Sequence, residues 1–330
     1  MEKQGKTKRN SVFQFLRGVA RSPEVGTLVA ILALSAVIGY INPRFWTTVN
    51  WLTIFRWLTG LALLAMGQSM VLITSGIDLS VGSMASLSSM IFAYMITIMN
   101  QDTPVAILTV VAVALLVGFY HGAFVTKFSP PLPTSVPAFV VTLGSLILLR
   151  GIAIVMTSGY PIKIYEYSKI AFIASSQGLA LILAIALALT FYIQRYTVIG
   201  RYIYAIGGNM EAARVAGIPI HKTRLFAHVY SSLMAGFAGI VYASLVSSGY
   251  AEIATGQELY SIASCVIAGV SLAGGEGTAI GAIIGALLVT VVRNGIVLMG
   301  VSPYWQDTVT ALILIIAVTT DLVRRTWRRT

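Results

Sequence analysis

The sequence predicts an all-α integral membrane protein with about ten transmembrane helices, eight to ten being the range. Three observations carry that prediction. First, 57% of the 330 residues are hydrophobic and only 10% are charged, where a soluble globular domain carries roughly 25% charge. Second, apolar runs follow one another from residue 25 to residue 323, and a bilayer core about 30 Å thick is crossed by a helix of about 20 apolar residues. Third, Lys and Arg gather in three places: six in residues 1–24, five between Arg195 and Arg224, and four from Arg324 to Arg329, fifteen of the 22 in the chain. The positive-inside rule puts all three on the cytoplasmic side. The net charge of +11 therefore reports topology, and no nucleic-acid partner is expected.

The elements follow in order. Residues 1–24 form a cytoplasmic basic tail. The apolar run behind it has no small-residue cleavage site before "YINPRFW" (40–46), so the first helix is expected to be retained. With both tails and the basic loop on one side, the number of crossings on each side of that loop must be even. Six spans fit before it, near 25–41, 52–74, 81–99, 104–127, 136–157 and 174–193. "FSPPLPTSVP" (128–137) is a turn, because its prolines lack donors and restrict the residues before them. The loop 194–224 comes next, then four spans near 225–247, 257–273, 277–299 and 304–323, and a basic tail over 324–330. Residues 25–323 are thus one transmembrane domain, and both termini are cytoplasmic.

Two junctions read as breaks within the membrane. "SGIDLSVGS" (75–83) and "LAGGEGTAIG" (272–281) each join small residues to one carboxylate, and their likeness points to a two-fold internal repeat with broken helices. Non-helical backbone at membrane depth persists only where protein or a water-filled cavity satisfies it. Gly76, Asp78, Ser80, Gly82, Ser83, Glu258, Gly274, Gly275 and Glu276 are the candidates for the translocation path or its gate. For Asp78 the competing reading is capping of the following helix. Arg56, Arg293 and Asp307, near the ends of runs, read as snorkelling or structural pairs. Trp46, Trp51, Tyr160, Tyr304 and Trp305 fit an interfacial belt.

Enzyme motifs fail on context. "GKT" (5–7) lacks both the upstream glycine and the strand of a phosphate-binding loop, and "GEGTAIG" (275–281) lies between spanning helices. His121, His221 and His228 are too scattered for a metal site, and the single Cys265 excludes an intramolecular disulfide.

"EAARVAGIPIHKTR" (211–224) is the compact charged stretch in this apolar chain. Asn209 can cap a helix beginning at Met210, Glu211 suits its positive end, and Gly217 with Pro219 supplies the stop. Two turns cannot span a membrane. The segment is either an interfacial helix or a docking element on which a cytoplasmic partner pushes.

"EAARVAG" with its preceding "GRYIYAIGGN" (200–209) resembles the Glu-Ala-Ala, three residues, Gly signature of ABC importer permeases. "MVLITSGIDLSVGSMASL" (70–87), "VPAFVVTLGSLILLRG" (136–151), "QELYSIASCVIAGVSLAGGEGTAIG" (257–281) and "NGIVLMGVSPYWQ" (294–306) extend the likeness to the permease subunit of ribose-type sugar importers, in the superfamily that includes branched-chain amino acid permeases. The chain departs from that pattern at Ser75, His121, Tyr260 and Ala268. The resemblance implies a non-enzymatic transport subunit of a bacterial inner membrane. Its expected partners are a second permease subunit, identical or not, a cytoplasmic ABC ATPase that holds ATP and Mg²⁺, a periplasmic or lipid-anchored solute-binding protein, and membrane lipid. No cofactor is expected on this chain. By the same resemblance Asn209, Glu211, Ala212, Ala213, Arg214 and Gly217 couple to the ATPase, with Ala212 and Ala213 letting the partner approach. The cargo is expected to be a monosaccharide or sugar-like solute. A nucleoside or branched-chain amino acid cargo, or an ion-coupled secondary transporter, is the alternative.

Overall fold

A computed structural model describes residues 22–127 and 138–302, with 304, 305, 307–309, 311, 312 and 315. Twelve helices are labelled here in chain order. They are α1 (Pro23–Ile41), α2 (Thr48–Ile73), α3 (Val81–Ala93, extended by a wide turn Tyr94–Ile98), α4 (Thr103–Lys127), α5 (Ala138–Val155), α6 (Tyr167–Ala174), α7 (Ser176–Tyr196), α8 (Val198–Gly208), α9 (Met210–Val215), α10 (Ile220–Val246), α11 (Gln257–Ile267) and α12 (Ala279–Leu298). Two short strands, β1 (Ile162–Lys163) and β2 (Ser248–Gly249), pair antiparallel, Ile162 opposite Gly249. Among the described residues seven helices are long and apolar enough to cross a membrane, and α5 adds a shorter apolar one. The protein is an all-α, multi-pass membrane protein.

Local sequence sets the starts. Ser22, Thr47, Ser175, Thr197, Asn209 and Thr278 cap α1, α2, α7, α8, α9 and α12, each accepting a backbone N–H from its own first turn. Hydroxyls inside the spans return to the carbonyl one turn back, as Thr59 does to Phe55, Thr190 to Ala186 and Thr290 to Ala286. A buried hydroxyl that satisfies itself this way removes the penalty of placing it among apolar groups. Close packing rests on small residues: Gly118 and Gly122 of α4 lie against the α10 backbone at Val229 and Leu225.

Contacts divide the molecule into two faces. Glu24 of α1 accepts from Thr278 (3.2 Å) and Gln194 of α7 accepts from the Ala279 N–H (2.8 Å), so the start of α1, the end of α7 and the start of α12 share the face that carries α8 and α9. Asn42 donates to the Leu298 carbonyl (2.7 Å) and Lys169 to Asn100 (3.0 Å), so the other ends meet on the opposite face, with β1 and β2. Among the described residues six helices, α1 to α5 and α7, run between the faces before α8.

After α9 the structure departs from expectation. The span expected over 257–273 is an 11-residue helix, α11, about 16 Å long at 1.5 Å per residue and too short to cross alone. The chain returns from the opposite face unwound through 247–256 and becomes helical only at Gln257. Ser247 (φ 51°) and Gly256 (φ 81°) hold left-handed backbone there, and Gly269 (φ 93°) ends the helical run. The last expected span, 304–323, lies largely outside the described residues, as do the tail 324–330, most of the tail 1–24 and the turn 128–137.

A repeat is present, but it pairs segments other than those the sequence paired. α2 packs on α10, α11 and α12, and α10 packs on α2, α3 and α4. Gly60 of α2 meets Tyr242 of α10 while Gly67 meets Ser231 and Met234, so the two long helices run antiparallel. Exchanging α2, α3 and α4 with α10, α11 and α12 reproduces the packing with direction reversed, the pattern of an inverted repeat. The counterpart of the break after α2 is therefore 247–256, and not 272–281. The latter instead touches the first break, where Ser75 Oγ donates to the Ala273 carbonyl (2.8 Å).

Candidate functional site

α9 stands on the surface of the face it shares with α8. Asn209 Oδ1 accepts from the Ala212 N–H at 2.9 Å, and Gly217 (φ 77°) turns the chain away after Val215, as the sequence predicts. Glu211 and Arg214 form a 3.3 Å pair with side-chain exposures of 72% and 38%. Such an exposed pair contributes little, so both groups are available to a partner. Val215, an apolar residue, is 89% exposed. Ala212 is exposed, whereas Ala213 is buried. Ala213 thus seats α9 on its own chain, which corrects the expectation that both alanines face a partner.

α8 connects this helix to the bundle through main chain. The Gly275 N–H donates to the Ile73 carbonyl at the end of α2 (2.9 Å), and Gly207 of α8 lies across that bond. A Cβ on Gly207 would sit 1.8 Å from the Ile73 oxygen and 2.3 Å from the Gly275 nitrogen, so only glycine fits. Gly274 lies in the same junction against Ser75 Oγ, and the exposed Glu276 gives its carbonyl to the Ser271 N–H (3.0 Å).

The break between α2 and α3 is closed by side chains. Asp78 is fully buried. Its Oδ1 accepts from Ser80 N (3.0 Å) and Ser80 Oγ (2.6 Å), and its Oδ2 accepts from Ser231 Oγ of α10 (3.0 Å), with His228 Nδ1 at 3.9 Å. The Gln68 amide faces the Asp78 peptide, its nitrogen donating to the carbonyl (3.0 Å) and its oxygen accepting the N–H (3.3 Å). Thr142 of α5 donates to the Ile77 carbonyl (3.3 Å). Gly76 and Ser83 are buried in this region, and the Glu258 carboxylate of α11 lies against Gly82, where an added Cβ would come within 2.1 Å of Oε2. Asp78 thus ties α2, α3 and α10 together. A carboxylate so enclosed is a fixed anchor.

A cavity of ≈ 300 Å³ opens near the other ends of α2, α10 and α12, lined among others by Trp57, Tyr242, Gln257, Thr290, Arg293 and Asn294. Trp57 and Tyr242 lie with ring centroids 6.0 Å apart and planes at 36°. Tyr242 donates to Gln257 Oε1 (3.4 Å) and its ring is held against Gly60. Asn294 donates to Asn50 (2.8 Å), and the Arg293 guanidinium lies 4.3 Å from the centroid of the Tyr260 ring, whose hydroxyl donates to Asp307. Arg293 is therefore a wall of this cavity and a partner of Tyr260, the structural pair being one of the two readings its sequence position allowed. None of the nine residues expected on the path lines the cavity. The sequence offered one signal for it: polar and aromatic residues inside otherwise apolar runs.

Residues 50–318 match the family described as branched-chain amino acid transport system / permease component. The chain is 35% identical over 306 residues to the ribose import permease protein RbsC of Escherichia coli (strain K12), covering 90% of this chain and 93% of the relative. It is 35% identical over 308 residues to RbsC of Haemophilus influenzae, with 90% and 93% covered. To the autoinducer 2 import system permease protein LsrC of Yersinia pseudotuberculosis it is 34% identical over 307 residues, with 91% and 85% covered. No solved structure matches the chain. A bundle built on an inverted repeat, a surface helix tied to it through main chain, and a family match over most of the length lead to one assignment: the chain belongs to the branched-chain amino acid transport system / permease component family and is a transport permease.

Proposed function

We propose that the chain is the membrane subunit of a binding-protein-dependent ABC importer that carries a monosaccharide or sugar-like solute across the bacterial inner membrane. The observation that carries this reading is α9: a capped, exposed two-turn helix fixed by Ala213 and joined through Gly207 to the ends of the transport helices. In this reading α9 faces the cytoplasm and receives the push of a separate ATPase that holds ATP and Mg²⁺. A solute-binding protein delivers cargo at the opposite face, and a second permease subunit completes the path. The names of the relatives, ribose and autoinducer 2 import permeases, favour a sugar. The family's own name favours a branched-chain amino acid as the second reading.

The test is uptake by proteoliposomes holding the permease, its ATPase and its binding protein. Glu211→Lys reverses the charge on α9, and Gly217→Trp forces a side chain into left-handed backbone (φ 77°). Both are expected to insert normally and to abolish ATP-driven uptake of D-ribose. Normal transport by both variants refutes the coupling role. Uptake that persists without the ATPase, driven by a proton or sodium gradient, refutes the ABC reading.

A further inference from the structure

We propose that the cavity between α2, α10, α11 and α12 is the permease's own solute site, and that it takes a neutral, polyhydroxylated ring of monosaccharide size. The inference rests on the sugar-importer reading above and adds the place and chemistry of binding.

Four observations converge. The first is position: Trp57 stands on the third turn of α2, Tyr242 on the last turns of α10, and Arg293 and Asn294 near the end of α12, all toward the face opposite α9. The second is the energetics of membrane depth. Amides and a guanidinium within spanning helices are costly in lipid and persist where they face protein or a water-filled path. The third is backbone: Gln257, on the cavity wall, is the first residue after the unwound 247–256, and unwound segments mark binding sites in transporters built on inverted repeats.

The fourth is chemistry. A volume of ≈ 300 Å³ stands at the lower end of small-molecule sites, which run from about 300 to 1,000 Å³. Gln257 and Asn294 supply both donors and acceptors, Thr290 and Tyr242 supply hydroxyls, and Trp57 supplies an apolar ring face. That set matches a sugar, whose hydroxyls donate and accept around an apolar ring. Among the described residues no carboxylate lines the cavity, so an amino acid's ammonium would meet no counter-ion from them. The one cation, Arg293, lies against the Tyr260 ring, which lowers its demand for an anionic ligand.

The test uses the complete importer in proteoliposomes with radiolabelled D-ribose as probe and L-leucine as the contrasting cargo. Gln257→Leu and Thr290→Val are each expected to lower ribose uptake about tenfold, since a lost hydrogen bond of about 1.4 kcal/mol is a factor of ten. Tyr40→Ala, at a residue 90% exposed and outside the cavity, is expected to transport as the wild type does. A second measurement does not depend on those variants folding well. Thr53→Cys, on the cavity wall, is treated with a membrane-impermeant thiol reagent; the native Cys265 is buried and does not compete. Labelling is expected, and saturating D-ribose is expected to slow it severalfold. Wild-type ribose uptake with both cavity variants unimpaired overturns the site alone, as does absent labelling or labelling that ribose leaves unchanged. Uptake of L-leucine with no uptake of ribose overturns the sugar reading on which the inference rests.

Discussion

The two unwound segments hold equivalent places in the inverted repeat, one after α2 and one after α10, yet they are finished in different ways. The first, 74–80, is sealed by side chains: Asp78, Ser80, Gln68, Ser231 and Thr142, from three helices and the break itself, take up its polar groups. The second, 247–256, is held mainly through main chain: β2 pairs with β1 and the Ile164 N–H donates to the Ser247 carbonyl (2.9 Å), its own turns close Ile253 N to Tyr250 O (3.2 Å) and Thr255 N to Glu252 O (3.1 Å), and the Ala254 N–H donates to Ser86 Oγ (3.2 Å). Its Glu252 is exposed, and its end, Gln257, faces the cavity. The same interruption of a helix can therefore serve as a fixed anchor or as a mouth, and what decides is whether the neighbouring helices close over it.

Three substitutions test that contrast, in falling order of effect. Asp78→Ala removes the acceptor shared by Ser80 and Ser231 and leaves them buried, which is expected to destabilise the protein by about 3–5 kcal/mol. Thermal unfolding in detergent measures it, and Asp78→Asn, which keeps one acceptor oxygen, should fall between. A wild-type melting point for Asp78→Ala would mean that the first break is not sealed by its carboxylate. Gly256→Ala probes the second break at φ 81°, where an added Cβ meets nothing within 4 Å; strain alone acts there, about 1–2 kcal/mol. A larger loss than that of Asp78→Ala would invert the comparison. Glu252→Ala opens the pair with Arg150, whose side chains are 63% and 38% exposed. The expected loss is under about 1 kcal/mol and should vanish in high salt.

Much of this was legible in residue order. Apolar runs gave the spans up to α10, and Asn209, Glu211 and Gly217 gave α9. Hydropathy could not see that the helix in 257–273 stops at Ile267 and follows an unwound stretch, because an apolar residue in a re-entrant turn reads like one in a helix. The repeat was mispaired for a related reason: 75–83 and 272–281 look alike because both precede helix starts on the same face, and likeness of sequence does not reveal chain direction. The cavity was hidden because Trp57, Tyr242, Gln257 and Asn294 lie far apart in sequence and meet only through antiparallel packing. Asp78 was singled out correctly as unusual, but its partner Ser231 could be found only in three dimensions.

The junction at Gly207 has a mechanical consequence. Ile73 closes α2 and Gly275 leads into α12, and the two are hydrogen-bonded beneath a residue with no side chain. A shift of α8 must carry both along or tear that bond. Trp57 lies 16 residues up α2 from Ile73, about 24 Å at 1.5 Å per residue, and Arg293 stands at a similar height on α12. One small push at the base would thus swing two of the cavity's walls in concert, as a pair of levers sharing a single fulcrum.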